Sequence, residues 1–434
     1  MLDGLVMAAQ LILALTILVT IHELGHYLAA RWFNVRVDKF FVFFDAGGKK
    51  LFSFKRGDTE YGVGWLPLGG YVKIAGMIDE SMDKEYLNSE PQPWEFRSKK
   101  PWQKLIIMLG GIVFNIILGF LIFLAINTFS NKYLAVTEIQ DKYFITEYGK
   151  QQGLQEGDVI LGANGKTFKR EKDMNMALAF GGTLDVERNG QRVNVPVPSE
   201  HFTNGDLFDL YSKINIGKVT PGSNAEEGGL KKKDQVLAVN GQTIQRYSDF
   251  VDILEANKNG SVNILVDRKG KEETLNIAVD EAGKIGFMVD SFSLDRSTYS
   301  LNKSSFGEEL KFAYDDAFSV MFVNAKAFWK MLTGKVNAKE NLAGPVKIAK
   351  IFGANWDWGR FWALTASLSM ILAFMNVLPI PALDGGHAVF AIIEWIQGKP
   401  VSDKILETAQ VIGFFIVMGL MVFVLGNDFG LFGK

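Results

Sequence analysis

Long stretches of this chain carry no charge at all, and they are separated by stretches in which polar residues recur every few positions. Four uncharged apolar runs stand out, at residues 4–21, 105–131, 361–383 and 408–427. Each approaches or exceeds the ~20 residues a helix needs to cross a bilayer core, so each predicts a transmembrane helix. Apolar character continues from the first run toward residue 30. Residues 306–332 show a different pattern, with Phe306, Leu310, Ala313, Ala317, Phe318, Met321, Phe322, Ala325, Phe328 and Leu332 at helical spacing among charged residues. That spacing predicts an amphipathic helix, lying flat on a membrane surface or packed under a neighbouring domain. Residues 61–74 read as two short, largely uncharged strands joined around Pro67 and Gly69-Gly70, a β-hairpin, and residues 79–104 as a polar connector.

Between the second and third runs the chain repeats itself at an offset of 76 residues. Gly153-Leu154, Asp158 and Asn164-Gly165 align with Gly229-Leu230, Asp234 and Asn240-Gly241. Each copy predicts a turn, an alternating strand and an Asn-Gly turn. A helix over 247–256 and strands over 261–266 and 274–279 follow the second copy. The pattern resembles the PDZ domain of bacterial proteins, which binds an extended peptide along a sheet edge. A duplicated β-rich spacer with no ligand is the alternative. The stretch 216–225 ahead of the second copy fits a carboxylate-binding loop better than anything ahead of the first.

Charge sets the expected orientation. Arg31, Arg36, Lys39, Lys49, Lys50, Lys55, Arg56, Arg97, Lys99, Lys100 and Lys104 fall between the first two runs, whereas only Asp3 precedes the first. By the positive-inside rule the 31–104 loop is cytoplasmic, residues 132–355 lie outside, and the loop carrying Lys399 and Lys404 is cytoplasmic again. With no Lys or Arg ahead of it, the first run reads as a retained span and not as a cleaved signal peptide. The net charge of −2 decides nothing about nucleic acid, and no basic cluster suggests it. The chain has no Cys, so any metal must be held by His and carboxylates.

The chemistry sits at the end of the first run. His22-Glu23-Leu24-Gly25-His26 puts two of only four histidines one helical turn apart on one face. Two such imidazoles can chelate one zinc ion, and the intervening Glu can act as base toward its water. A third ligand is needed. Among His201, His387 and Asp384, the best placed is Asp384, which follows an apolar run broken by Pro379 and Pro381 and precedes Gly385-Gly386. Prolines and glycines suit a broken helix lining a cavity, and a carboxylate at membrane depth is costly unless functional. Under the topology above, His26 and Asp384 fall at the same depth, toward the cytoplasmic ends of their spans. His387 is the packing or supporting residue beside it. Asn376 either is satisfied within the helix bundle or holds substrate backbone near the metal.

Taken together, His22-Glu-Leu-Gly-His26, Asn376-x-x-Pro379-x-Pro381-x-Leu-Asp384-Gly-Gly, Leu342-Ala-Gly-Pro345 and the tandem repeats resemble the site-2 protease family of intramembrane zinc proteases, in its bacterial sigma-E-regulating form. The resemblance covers nearly the whole chain. One departure is Gly110-Gly111 ahead of Asn115, where many members carry Gly-Pro.

The resemblance implies zinc as cofactor, His22, His26 and Asp384 as ligands, and Glu23 as catalytic base. It also implies Asn376, Pro379, Pro381, Gly69 and Gly70 as substrate contacts, with the 61–74 hairpin re-entering the membrane and pairing to extended substrate; a soluble hairpin packed on residues 40–54 is the alternative. The implied substrates are single-span membrane proteins shortened by an earlier cut, such as anti-sigma factors or remnant signal peptides. A new C-terminus would be read at the second PDZ-like copy, or the pair would exclude bulky ectodomains. A membrane-anchored PDZ adaptor with a dead zinc site would need neither Glu23 nor Asp384; a metal transporter would use the same ligands, but spans two and four offer almost no ionisable residues for a polar path.

The expected architecture is a polytopic α-helical membrane protein with four spans, a cytoplasmic-side β-hairpin and an exterior tandem of PDZ-like α+β domains. It would sit in a bacterial inner membrane with the PDZ pair in the periplasm. The expected segments are 1–30 (first span with the zinc motif), 31–104 (loop with hairpin), 105–131 (second span) and 132–213 and 214–290 (PDZ-like domains). They continue with 291–360 (amphipathic helix and linker), 361–388 (third span with Asp384), 389–407 (cytoplasmic loop) and 408–434 (fourth span).

Overall fold

The computed structural model describes residues 2–67, 69–77, 90–139, 143–178, 181–198, 207–210, 212–244, 247–294, 300–335, 337, 339 and 342–431. His201 and the first part of the 79–104 connector lie outside the described residues. The chain divides into one unit formed by Met1–Asn131 and Ser305–Lys434 and a second formed by Lys132–Ser304.

The first unit is mainly helical, with one small sheet. Its helical elements are α1 (Leu2–Trp32), α2 (Pro101–Ser130), α3 (Phe306–Leu332), α4 (Pro345–Phe352), α5 (Trp358–Val377), α6 (Asp384–Gln397) and α7 (Asp403–Asp428). Four of these, α1, α2, α5 and α7, are long and apolar enough to cross a membrane, as the four runs predict. They leave large side chains such as Leu121, Phe415 and Val422 exposed, the outward face a lipid solvent favours. α2 lies at the centre, against α1, α3, α5 and α6. It starts with Pro101 at a position where a missing N–H costs nothing. Where α1 and α2 cross, Gly25 and Gly110 face each other so closely that a Cβ on Gly110 would lie 2.6 Å from the Gly25 carbonyl oxygen. Glycine is what lets the two backbones touch there.

The amphipathic helix forms as α3 with the predicted limits, opened by a reciprocal cap in which Glu308 N–H donates to Ser305 Oγ and Ser305 N–H to Glu308 Oε2. Its apolar face is buried in part, while Phe306, Leu310, Phe322 and Leu332 stay exposed. Ala313 and Ala317 pack with Phe123 of α2 and Ala366 and Met370 of α5. Residues 384–397, expected as the end of a span and the start of a loop, form α6, a separate helix.

A four-stranded sheet follows α1: β1 (Val37–Phe41), β2 (Lys50–Arg56), β3 (Thr59–Gly64) and β4 (Tyr71–Ile74), in the order β2-β3-β1-β4. This corrects the expected 61–74 hairpin. Both strands are present, but they do not pair with each other. β1 lies between them, parallel to β3 (Phe40 opposite Tyr61) and antiparallel to β4 (Phe40 opposite Val72). The physical reason is the length of the connection. The tight turn is at Gly57, joining β2 to β3, and β3 and β4 are further apart along the chain than those two strands.

The second unit contains two β-rich modules, each with its own core. The repeat is preserved in three dimensions. Strands Val159–Ala163 and Gln235–Val239 occupy equivalent places, and Asn164-Gly165 and Asn240-Gly241 both turn with positive φ (54° and 72°; 49° and 81°), as a type I′ Asn-Gly turn requires. The first module pairs Val159–Ala163, Gly182–Arg188 and Gln191–Val197 antiparallel over Ile160, Leu184 and Val195. The second pairs Lys271–Ala278, Ser261–Arg268, Gln235–Val239, Ser212–Val219 and Phe287–Leu294, in that order, over Ile216, Val239, Phe250 and Ile264.

The repeated Asp turns out to be a structural device. Asp158 accepts two hydrogen bonds from Arg188, at 2.7 Å each, and one from Gln155 N–H; Arg188 also donates to Gly153 O. Asp234 is held likewise by Arg268 (2.8 and 2.6 Å) and Lys231 N–H, with Arg268 donating to Gly229 O. The Gly-Leu-x-x-x-Asp pattern is therefore a clamp closing the turn ahead of each strand. Burial pushes the Asp158 carboxyl up, and the hydrogen bonds from Arg188 more than offset this, leaving it below the usual carboxylate range. A lowered folded pKa stabilises above the unfolded value of about 4 and is lost as pH falls through the folded value. Arg188→Leu is expected to destabilise the first module near pH 7 by leaving the Asp158 carboxylate without its charged partner, and to do so less when Asp158 is protonated. Backbone hydrogen exchange of residues 182–197 in the full-length protein, measured at both pH values, checks this; equal losses would refute it.

Candidate active site

Helical geometry brings the first two candidate ligands together. His22 and His26 lie one turn apart on α1, their rings edge-to-face with centroids 4.8 Å apart and their Nε2 atoms 3.3 Å apart. Both are buried, among apolar neighbours and against α2. Gly111 of α2 makes the room: a Cβ there would lie 2.6 Å from His22 Cε1.

The third group arrives through a break in the chain. α5 ends at Val377, because Pro379 and Pro381 lack the N–H groups a helix would use. The segment that follows turns on Ala382, whose φ of 83° is unusual for a residue with a Cβ. α6 then begins at Asp384. The turn carries Asp384 Oδ2 to 3.2 Å from His22 Nε2 and 3.3 Å from His26 Nε2. Among the described residues, these three form the one His/Cys/Asp/Glu group able to hold a metal ion.

The geometry fits zinc. A tetrahedral ion with ligand bonds of 2.0–2.1 Å sets its ligand atoms about 3.3 Å apart, and the three atoms here form a triangle of 3.2–3.3 Å sides. Asp384 Oδ2 is buried without a hydrogen-bond partner of good geometry, the condition of a ligand atom and a costly one otherwise. Two neutral imidazoles and one carboxylate are a hydrolase donor set that leaves a fourth position open. α6 is itself fastened to α2 by a buried ion pair, Lys104 Nζ to Glu394 Oε2 at 2.7 Å. Nothing in the sequence pattern signals that pair, since its partners lie 290 residues apart.

A cavity of about 760 Å³ opens on this triad. Glu23, half-buried, lines it together with the three ligand candidates, Asn376 and His387. Asn376 is buried with its amide nitrogen 3.3 Å from His22 Nε2. Of the glycines expected to meet substrate, Gly70 lines the cavity along with Tyr71, Val72, Lys73 and Ile74; Gly69, Pro379 and Pro381 are not among its lining residues. β4 is thus an outer strand of its sheet that borders the site. It is anchored by Tyr71, whose hydroxyl donates to Asp45 Oδ1 at 2.9 Å, while Lys39 holds Oδ2 at 3.0 Å. Burial raises the Asp45 pKa, but these two hydrogen bonds outweigh it and hold the group below its ordinary range.

Comparison with known proteins agrees with this geometry. The model of peptidase family M50 matches residues 10–420. The chain is 29% identical to the regulator of sigma-E protease RseP of Escherichia coli, over 97% of this chain and 98% of that protein. It is likewise 29% identical to the regulator of sigma E protease of Haemophilus influenzae, over 96% and 97%. A protein of Neisseria meningitidis provisionally named a zinc metalloprotease is 28% identical over the same shares. A match running through all four apolar helices and both halves of the buried His-His-Asp triad leaves one assignment: the chain belongs to peptidase family M50, the site-2 protease family, and is a polytopic membrane peptidase.

Proposed function

We propose that this protein is a zinc-dependent intramembrane endopeptidase that cuts the transmembrane segments of single-span proteins already shortened by another protease. The observation that carries this reading is the triangle of His22 Nε2, His26 Nε2 and Asp384 Oδ2, with sides of 3.2–3.3 Å, at the buried end of an apolar helix. The names of relatives in Neisseria and Escherichia support zinc and proteolysis.

His22, His26 and Asp384 hold the ion. Bound zinc supplies a Lewis acid that polarises the scissile carbonyl and brings the pKa of water to about 7. Glu23 takes the proton of the attacking water and delivers it to the amide nitrogen as the C–N bond breaks. Asn376, beside His22, holds the backbone of the bound chain, and the Pro379–Pro381 break keeps that wall of the cavity open. A substrate helix hides its peptide bonds in its own hydrogen bonds, so it must be unwound first. Lying next to β4, past Gly69-Gly70, it exchanges helical bonds for strand pairing. The Lys and Arg residues between α1 and α2 support a cytoplasmic placement of β1–β4 in a bacterial inner membrane, with the repeated modules in the periplasm. There the PDZ-like pair gates access to pre-trimmed substrates, either by excluding bulky ectodomains or by taking a newly made C-terminus at the second copy.

The test is cleavage of a single-span protein by the detergent-solubilised full chain. Chelation with 1,10-phenanthroline is expected to stop it, added zinc to restore it, and mass spectrometry to place the cut within the hydrophobic segment. Cleavage that survives metal removal, or falls only in flanking loops, would overturn the proposal.

A further inference from the structure

α2 does more than pack against the zinc-motif helix. Ile107, Gly111 and Asn115 fall at i, i+4 and i+8, on one face of α2, and all three meet the imidazoles of α1. The Ile107 carbonyl oxygen lies 2.8 Å from His26 Nδ1. Gly111 leaves the space that the His22 ring fills. The Asn115 side chain, fully buried, reaches His22 Nδ1 at 3.0 Å.

A histidine that ligates through Nε2 must carry its remaining proton on Nδ1, and a partner accepting that proton fixes both tautomer and ring orientation. For His26 the partner is the backbone carbonyl of Ile107. For His22, among the described residues, the group that meets Nδ1 is the Asn115 side chain. Its amide nitrogen faces Nδ1 while its oxygen is buried with no partner. A donor nitrogen there would require the imidazole proton on Nε2, the atom that faces Asp384 and His26. The two ends of an amide have nearly the same shape, so a half-turn of the side chain brings the oxygen onto Nδ1. The main chain at this residue is fixed independently, since Ser369 of α5 donates to the Asn115 carbonyl at 2.7 Å.

We propose that Asn115 is a positioning residue: its side-chain oxygen accepts the Nδ1 proton of His22 and presents the Nε2 lone pair to the metal, as the Ile107 carbonyl does for His26. The inference rests on the assignment of His22 as a ligand. It gives α2 a role in the site that its apolar composition conceals.

The experiment uses the full-length protein labelled with ¹⁵N-histidine, which is tractable because the chain has four histidines. In the wild type, zinc is expected to shift two imidazoles, each keeping a hydrogen-bonded Nδ1–H. Asn115→Leu, of similar size, is expected to remove the hydrogen-bond signature from the His22 signal while His26 keeps its own. It should also weaken zinc, measured by chelator competition, by about 10–100-fold. Asn115→Asp retains an acceptor and is expected to restore both signals. Unchanged zinc affinity and an unchanged His22 signal in Asn115→Leu would overturn the proposal. So would a loss in Asn115→Asp equal to that in Asn115→Leu, which would mean that the site needs the amide for its fold alone. If zinc fails to shift His22 in the wild type, the ligand assignment falls instead, which separates the two failures.

Discussion

Glu23→Gln is expected to lower the rate of membrane-peptide cleavage by about 10²–10⁴-fold, the contribution of a positioned general base, while the protein keeps its full zinc content. The argument comes from position. Glu23 sits between the two histidines on α1 but does not belong to the His22–His26–Asp384 triangle; it lines the cavity beside it. Gln has the same length and can still hydrogen-bond, but it cannot accept and return a proton at neutral pH. Loss of turnover with retained metal thus isolates proton transfer from metal binding. Single-turnover cleavage of a single-span substrate, with metal analysis of the same sample, measures both. Undiminished cleavage would remove Glu23 from the mechanism; loss of zinc along with activity would make it a structural residue.

Much of this site was legible in the sequence because its signals are local. His22 and His26 are neighbours by helical spacing alone, and Asp384 stands out as a carboxylate immediately after an apolar run broken by two prolines. The Gly-Leu-x-x-x-Asp repeat was likewise legible as a recurring unit. Its purpose was not, because the arginines that hold Asp158 and Asp234 lie 30 and 34 residues further on. Pairing between strands is where sequence reading failed. Residues 61–74 have the composition of a hairpin, yet whether two strands pair or flank a third depends on where β1 goes, and β1 carries no mark of its order in the sheet. The same limit hid the Lys104–Glu394 pair and the contact of Asn115 with His22. A polar residue within an apolar span advertises a need for a partner, but only the packing of α2 against α1 names that partner.

Asp384→Asn is expected to strip zinc from the protein and to abolish cleavage with it. Asn matches Asp in shape, so the break after Val377, the turn at Ala382 and the start of α6 need not move. What changes is the ligand, from a charged carboxylate oxygen to a neutral amide whose oxygen is a weaker donor. The carboxylate is also the only negative charge in the triangle, and it offsets the charge of an ion held where water is scarce. The expected loss of zinc affinity therefore exceeds the roughly 10–100-fold that follows from removing a partner of a ligand. This ranks Asp384→Asn above Asn115→Leu in the same chelator competition. Folding is separable from ligation because α6 is fastened to α2 at its other end by Lys104 and Glu394. Hydrogen exchange across residues 384–397 should stay near that of the wild-type protein stripped of metal. If Asp384→Asn kept full zinc stoichiometry, the third ligand would have to come from another residue lining the cavity, and His387 would be the first to test.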